Sequence, residues 1–197
     1  KYKETEKFAW VEPEYLEILD LPLFRGDLGA LREPNTALLS EKLAHKYFGE
    51  ADPLGKTIRL NNETDLRIVG ILRNLPLNTD YQHEILGSWA TLSTMLPVSK
   101  SLDSWQGARG DNFCFALLKE GHTLGEMDAA MADFRIRHPH PESKDLFQYK
   151  AKPMLGLHFD TDYGHGIEQK FLWALGLIGL FLLLTACVNF VNMATAQ

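Results

Sequence analysis

Histidine and carboxylate side chains are the groups in this 197-residue chain whose types and spacing could do chemistry. His138 and His140 are separated by one proline and followed by another, and the stretch from His158 to His165 adds Asp160 and Asp162. Two aspartates two residues apart resemble the start of a calcium loop, but the loop glycine and the final glutamate are absent. The prolines hold the first histidine pair extended, without an acidic partner at fixed spacing. We therefore predict a solvated helix end and a polar loop, with no metal site.

The sequence also lacks the patterns that activate a nucleophile or hold a phosphate. It contains no G-x-S-x-G, no G-x-G-x-x-G and no Walker A motif. Cys114 and Cys187 have no activating neighbours in sequence, and we expect neither a disulfide nor a zinc site between them. A net charge of -6 without a basic run excludes nucleic acid as a partner. We predict no catalytic residues, no cofactor-binding residues and no enzymatic activity for this chain.

The most unusual feature is the apolar carboxyl end. Lys170 is the last charged residue, and the 27 residues from Phe171 to Gln197 carry no charge. About 20 helical residues cross a bilayer core, so we predict a transmembrane helix at Phe171–Val191. A buried core helix is the alternative, but such helices usually keep one polar face, and Leu172 to Leu184 shows none. Trp173 stands with Lys170 where an interfacial anchor is expected.

The second half of this span is not purely apolar. Small or polar residues recur there every three or four positions: Thr185, Asn189, Asn192 and Ala196. Asparagine in lipid is costly without a partner for its amide, so we expect this face to pack against another helix. Gly176 and Gly179 would allow close approach nearer the start of the span. The alternative is that residues from Asn189 onward have reached the far membrane interface and are hydrated.

Strand and helix patterns alternate before the span. In the first fifty residues we predict an apolar strand-like run at Phe8–Val11, a helix from Pro13 to Leu19, a strand at Asn35–Ser40, and a helix capped by Ser40 and closed by Gly49. After a turn, we predict a β-hairpin from Thr57–Leu60 and Leu66–Leu72, then loops with a short helix near Ala90–Met95.

The later elements are a strand at Asn112–Leu118, a helix that begins at Thr123 and ends by His138, a strand at Phe147–Lys152 and a loop at Gly156–Gly166. The sequence T-L-G-E from Thr123 to Glu126 is a capping box, which makes this helix start well defined.

Four segments, taken together, resemble the permease subunits of ATP-binding-cassette systems of the MacB/FtsX type. They are VEPEYLEILDLPLFRGD (Val11 to Asp27), ALLSEKLAHKYFGEADPLGKTIRL (Ala37 to Leu60), LRIVGILRNLPLNT (Leu66 to Thr79) and TACVNFVNMATAQ (Thr185 to Gln197). They occur in the family's order and touch most of the chain. The region from Leu92 to Arg109 matches least.

This resemblance implies an α+β fold. A porter-like strand-helix subdomain would comprise residues 1–50 and 111–165, an inserted β-rich subdomain residues 51–110, and the start of a stalk with one C-terminal transmembrane helix residues 166–197. The fragment would be the large periplasmic loop after the first helix of a four-helix permease, together with its second helix.

The resemblance also implies partners and a location. The permease would lie in the bacterial inner membrane as a homo- or heterodimer, with residues before about 166 in the periplasm. It would work with a fused or separate cytoplasmic ATPase that binds the ATP, and could meet a periplasmic adaptor or lipoprotein. ATP hydrolysis would be converted into movement outside the membrane, with peptides, antibiotics or lipoproteins as cargo.

Two other classes of function remain open at this point. A membrane-anchored extracytoplasmic sensor would need only an anchor, and the polar stripe with the N-F-V-N ending favours the permease over it. A membrane-tethered hydrolase is disfavoured by the missing nucleophile or metal set.

Overall fold

The computed structural model describes residues 7–76, 78–79, 81–95, 112–138, 149–160 and 168–196. The chain divides into two compact units. The first, the sheet unit, is Lys1–His122 with Arg137–Phe147, and the second, the helical unit, is Thr123–Ile136 with Gln148–Gln197.

The sheet unit is built on one mixed six-stranded sheet. Its strands are β1 (Phe8–Val11), β2 (Leu23–Gly26), β3 (Thr36–Ser40), β4 (Thr57–Leu60), β5 (Thr64–Leu72) and β6 (Ile85–Ser88). The order across the sheet is β1-β6-β3-β5-β2, and β4 pairs with β5 beside this path. The pairs β1–β6 and β3–β5 are parallel, whereas β3–β6, β2–β5 and β4–β5 are antiparallel. The predicted hairpin of β4 and β5 is confirmed.

Two short helices and two 3₁₀ turns connect these strands. They are α1 (Glu14–Ile18), α2 (Glu41–Phe48) and the turns Gly29–Arg32 and Trp89–Thr94. The Ser40 side chain accepts a hydrogen bond from the backbone N–H of Leu43 at 3.2 Å, as predicted for the cap of α2. Gly49 ends α2 at φ 58°, where a side chain would be strained.

The core lies on both faces of the sheet, because alternate residues of each strand point to opposite sides. One buried cluster joins the sheet to α1 and the first 3₁₀ turn: Val11, Leu16, Leu31, Leu38, Val69, Leu72 and Leu86. The other joins it to α2: Leu39, Leu43, Ala44, Ile68, Ile71 and Ile85. Neighbouring residues such as Leu38 and Leu39 therefore serve different halves of the core, which makes β3 buried along its whole length.

The helical unit contains α3 (Leu124–Arg137), a 3₁₀ turn (Met154–Phe159) and α4 (Gln169–Thr195). The predicted capping box of α3 is formed: Glu126 accepts from the backbone N–H of Thr123 at 2.8 Å, and the Thr123 hydroxyl accepts from Glu126 N–H at 3.3 Å. Residues 149–151 lie along α3, because Tyr149 packs on Phe134 and the N–H of Ala151 donates to Asp128.

Three predictions about elements are wrong. Asn112–Leu118 forms no strand, because no strand among the described residues pairs with it and its side chains are largely exposed. Residues 149–152 form no strand either, and the first two residues of the strand predicted at Phe147–Lys152 lie outside the described part. The loop predicted at Gly156–Gly166 begins within the 3₁₀ turn, while residues 161–167 lie outside the described part.

The pairing of β4, β5 and β6 bears on the predicted division into two subdomains. All three come from the predicted insertion at 51–110: β5 and β6 pair with strands from the first forty residues, whereas β4 pairs with β5. Residues 96–110 lie outside the described part. The subdomain boundaries at 50 and 110 stay a prediction.

Candidate functional site

Helix α4 is the candidate site that the sequence indicates most strongly. It has 27 residues, about 40 Å of helix, against the ~30 Å core of a bilayer. Its most apolar 18-residue window has a mean hydropathy of 2.5, and none of that window is buried. Leu, Phe and Val side chains are exposed over its whole surface, which water would not tolerate but lipid would. By length and composition this helix can cross a membrane. It begins two residues before and ends four residues after the predicted span, Phe171–Val191.

The five residues predicted to pack against other helices all lie on α4, but on two different sides of it. Successive residues of an α-helix are about 100° apart around its axis, so Thr185, Asn189 and Asn192 fall within an arc of about 60°. On the same basis, Gly176 and Gly179 lie about 180° and 120° away from Thr185. The polar face and the glycine face are therefore separate surfaces.

The polar side chains of this face differ in whether the helix itself provides their hydrogen-bond partners. The Thr185 hydroxyl donates to the Phe181 carbonyl at 2.8 Å, so the helix itself satisfies it. The amides of Asn189 and Asn192 make no side-chain hydrogen bond to any described residue. A Cβ added at Gly176 or Gly179 would meet nothing within 4 Å. Within the described residues, Asn189 and Asn192 are thus two amides of α4 for which packing against another helix stays a prediction.

The residues considered for metal binding do not form a site in the described part of the chain. No group of three His, Cys, Asp or Glu residues there is arranged to hold a metal ion. Asp160 instead forms an ion pair with Lys152. His140, Asp162 and His165 lie outside the described residues, as does the side chain of His158. Cys114 and Cys187 are both exposed thiols.

A shallow cavity of about 220 Å³ lies in the helical unit beside α3. Its lining combines a carboxylate, two cations and a tyrosine with two apolar residues: Asp128, Met131, Ala132, Arg135, Tyr149 and Lys150. The Asp128 carboxylate accepts a hydrogen bond from the Ala151 N–H. This lining offers no nucleophile and base pair and so provides no catalytic arrangement.

The sheet unit contains a polar and aromatic cluster that the sequence did not predict. The Tyr15 hydroxyl lies 3.5 Å from Nδ1 of His83. Burial raises the pKa of Tyr15 to about 12, with a smaller contribution from Tyr81, and burial lowers the pKa of His83. The Phe115 ring packs on Tyr15 and Tyr81 with centroids 5.9 and 5.3 Å apart. These residues come from three distant stretches of sequence, so no local pattern brings them together.

Beside this cluster, Glu84 is held by two lysines. Its carboxylate lies 2.6 Å from Lys7 Nζ and 3.4 Å from Lys42 Nζ, and its side chain is only 15% exposed. This arrangement joins the residue before β1, the start of α2 and the residue before β6. It has the composition of a structural ion pair network and no group positioned for chemistry.

The chain is similar to proteins of a known family. Residues 2–134 match the family of MacB-like periplasmic core domains. The fold, an α+β sheet unit followed by an apolar helix that can span a membrane, is that of an extracytoplasmic domain with a membrane anchor. The chain belongs to the MacB-like periplasmic core domain family, as its four sequence segments predicted.

Three solved structures are similar to this chain to different extents. A domain of a protein described as a permease, from Porphyromonas gingivalis, is 25% identical with a TM-score of 0.53, over 75% of this chain and 69% of that one. The periplasmic region of MacB from Actinobacillus actinomycetemcomitans is 19% identical with a TM-score of 0.37, over 46% of this chain and 41% of that one. The extracellular domain of the ABC-type transporter YknZ from Gram-positive bacteria is 19% identical with a TM-score of 0.36, over 46% of each chain. No curated protein matches the chain significantly.

Proposed function

We propose that this chain is the periplasmic domain and second transmembrane helix of a permease subunit in an ATP-binding-cassette transporter of the bacterial inner membrane. One observation carries the proposal: a match to MacB-like periplasmic core domains over residues 2–134 precedes a membrane-length helix, α4. A domain held on the membrane by such a helix can respond mechanically to movement within the membrane. The ATP would bind to a cytoplasmic ATPase, and the chain would pass the resulting movement to the periplasmic side. Export or efflux of peptides, antibiotics or lipoproteins is the class of task that this arrangement fits.

A transmitting role also fits the way in which the sheet unit is stabilised. Two of its buried polar side chains are engaged in structure: the Ser40 hydroxyl caps α2, and the Thr91 hydroxyl accepts from the Asn35 N–H at 2.9 Å. A transmitting domain needs rigidity and attachment points, and the two-faced core around β3 and β5 supplies rigidity.

The test is co-purification of the full-length parent protein. The parent would be tagged, extracted in mild detergent and analysed by mass spectrometry for proteins present in near-equal amount. We expect an ATP-binding-cassette ATPase, fused or separate, and a second permease subunit. A histidine kinase or other signalling protein without any ATPase would contradict the proposal and favour a sensor, and an accompanying adaptor or lipoprotein would identify the branch of the family.

We propose further that the two faces of α4 contact two different neighbouring helices of the assembled permease. The asparagine amides need hydrogen-bond partners in lipid, and interhelical bonds of this kind are worth about 1–2 kcal/mol in model peptides. The glycine face, on another side of the helix, allows close backbone approach to a second neighbour.

Replacing Asn189 and Asn192 together by leucine tests the polar face. We expect the double variant to insert into the membrane normally but to lose at least about 30-fold in subunit association, because two interhelical hydrogen bonds of about 1 kcal/mol or more each are removed. Association would be measured by co-purification or by energy transfer between labelled subunits in liposomes. Val191→Leu is the matched control, since Val191 lies between the two asparagines in sequence but about 100° from Asn192 and about 60° from Gly176 around the helix, outside both faces. Unchanged association in the double variant would assign the asparagines to the hydrated interface.

A further inference from the structure

The cavity beside α3 in the helical unit combines positive charge with an apolar surface. Its volume is about 220 Å³. The residues that α3 contributes are three or four positions apart and therefore lie on one face of the helix: Asp128, Met131, Ala132 and Arg135. Tyr149 and Lys150, from the segment that lies along α3, complete the lining. The cavity is thus formed within one compact unit of the chain.

The segment that carries Tyr149 and Lys150 is held on α3 by two contacts. The Tyr149 ring meets the edge of Phe134, with centroids 5.8 Å apart and an interplanar angle of 81°. Two residues further on, the N–H of Ala151 donates to the Asp128 carboxylate at 2.9 Å. Lys150 lies between these two attachment points. The cavity is therefore formed before any ligand arrives, and this reduces the entropy that binding must overcome.

The two cations of the lining have no ion-pair partner. Neither Arg135 nor Lys150 forms a salt bridge with a residue in the part of the chain that the structure describes. Lys152, two residues beyond Lys150, is by contrast paired with Asp160. Asp128 is the one carboxylate among the lining residues, so together with the two cations the lining has a formal charge of about +1. Cations at a concave surface attract an anion.

The size and charge of the cavity restrict the kind of anion. Its volume is below the ~300–1,000 Å³ of most ligand pockets, so it fits a small molecule or one end of a longer one. A charge of about +1 matches a carboxylate better than a phosphate monoester, which carries about −1.5 to −2. Met131, Ala132 and the Tyr149 ring supply apolar surface, and a methionine side chain adapts readily to the shape of a ligand.

From this lining we infer that the cavity binds a carboxylate attached to a short apolar body. The Arg135 guanidinium binds the carboxylate through two parallel hydrogen bonds, and Lys150 adds a second positive charge. The apolar body lies over Met131 and Ala132. A free alkyl acid and the C-terminal residue of a short peptide both present this chemistry. The inference goes beyond the proposed function and does not depend on it.

The test uses the full chain in micelles of an uncharged maltoside detergent, with ¹³C-labelled methionine methyl groups, titrated with sodium hexanoate at pH 7.5. Met131 reports from inside the cavity, and Met193 on α4 reports any uptake of the probe by the micelle. We expect the Met131 resonance to shift saturably and the Met193 resonance not to saturate. 1-Hexanol, which has the same chain without the charge, should need an at least about tenfold higher concentration for half-saturation, because it lacks the charge-assisted hydrogen bonds.

Replacing Arg135 and Lys150 together by glutamine tests the role of the two cations. We expect the double variant to raise the half-saturating concentration of hexanoate about tenfold or more. Lys119→Gln is the matched control, because Lys119 is an exposed cation before α3 that does not line the cavity, and it should leave hexanoate binding intact. Ala132→Phe fills the cavity while both cations remain. It should abolish the saturable shift, which keeps the inference testable if the double variant does not fold.

N-Acetylleucine, which ends in a carboxylate as a peptide does, distinguishes the two sources of the ligand. Tighter binding than that of hexanoate would assign the cavity to a peptide end, and weaker binding to an alkyl acid. A Met131 resonance that hexanoate does not shift saturably, or that 1-hexanol shifts at the same concentrations, would overturn the inference. So would unchanged hexanoate binding in the double variant or in Ala132→Phe.

Discussion

Gly26 is the residue at which the sheet is least tolerant of a side chain. Its φ is +105°, and a Cβ placed there would lie 2.3 Å from the carbonyl oxygen of Val69 on β5. The same glycine pairs with Gly70 across the two strands, so the backbones of β2 and β5 approach each other where neither residue has a side chain. Two separate requirements, backbone conformation and space, therefore select glycine at this position.

Comparing Gly26→Ala with Gly55→Ala separates these two requirements. Gly55 also has a positive φ, +76°, but a Cβ there would meet nothing within 4 Å. We expect Gly55→Ala to lower the free energy of unfolding by about 1–2 kcal/mol, the cost of a left-handed conformation. Gly26→Ala should lower it at least twice as much, because β5 must also move.

Urea unfolding of the full chain in detergent, followed by tyrosine and tryptophan fluorescence, would measure both free energies. Equal losses in the two variants would mean that β2 can move away from β5 without cost, which the short distance to Val69 argues against.

At the scale of elements, the start of α2 is held by two side chains from outside the helix. Ser40, at the end of β3, accepts from the N–H of Leu43. Asn74, in the loop after β5, accepts from the N–H of Lys42 at 2.9 Å, and its own N–H donates to Glu41 at 3.4 Å. The helix start is thereby tied to two neighbouring strands, β3 and β5, and not only to its own sequence.

Removing either cap should weaken α2 without unfolding the sheet. We expect Ser40→Ala and Asn74→Ala each to cost about 1 kcal/mol, the usual contribution of an N-cap, measured as a shift in thermal unfolding. Ser40→Thr is the matched control, since it keeps a hydroxyl at the same position, and it should retain most of the stability. A loss in Ser40→Thr as large as in Ser40→Ala would indicate that packing at this buried site outweighs the hydrogen bond.

Local signals in the sequence predicted the elements that are stabilised locally. The Ser40 cap, the Gly49 end, the Thr123–Glu126 capping box and the length of α4 can each be read within a few residues. The order of the strands could not be predicted this way, because β1 and β6 are distant in sequence and their pairing depends on packing.

The same reason explains the errors. The stretch Asn112–Leu118 has the composition of a strand, but a strand requires a neighbour, and no described strand supplies one. β2, with its mostly exposed residues and a register shift between Leu23 and Arg25, lacks the alternation that marks a strand in sequence. Of the candidate site, the membrane-length helix could be predicted, whereas the aromatic cluster is assembled from distant residues and could not.

For the molecule as a whole, α4 determines where the chain resides. Its exposed apolar surface has no cover among the described residues, and the residues before it belong to a periplasmic core domain family. The chain as a whole is therefore expected to behave as an integral membrane protein.

Positive charge in the middle of α4 should prevent the chain from behaving as an integral membrane protein. We expect Leu180→Lys with Leu183→Lys to release the chain from carbonate-washed membranes, because each lysine near the centre of a span costs about 2.5–3.5 kcal/mol. Met154→Lys with Leu155→Lys is the matched control: both residues are exposed and apolar but lie outside α4, so the chain should stay with the membrane. Release of the unmodified chain by the carbonate wash would contradict a spanning helix.

The pairing of β1 with β6 also has a consequence for the order of events during synthesis. The ion pair beside these strands joins Lys7 and Glu84, 77 residues apart in sequence, and among the described strands β6 is the one that pairs with β1. A nascent chain that ends before residue 85 can assemble β2 to β5 while β1 has no described strand to bind. Contacts between such distant residues form slowly. Although β1 is the first of the described strands to be synthesised, it is thus among the last to join the sheet, and Phe8 and Trp10 stay exposed to chaperones and proteases until it does.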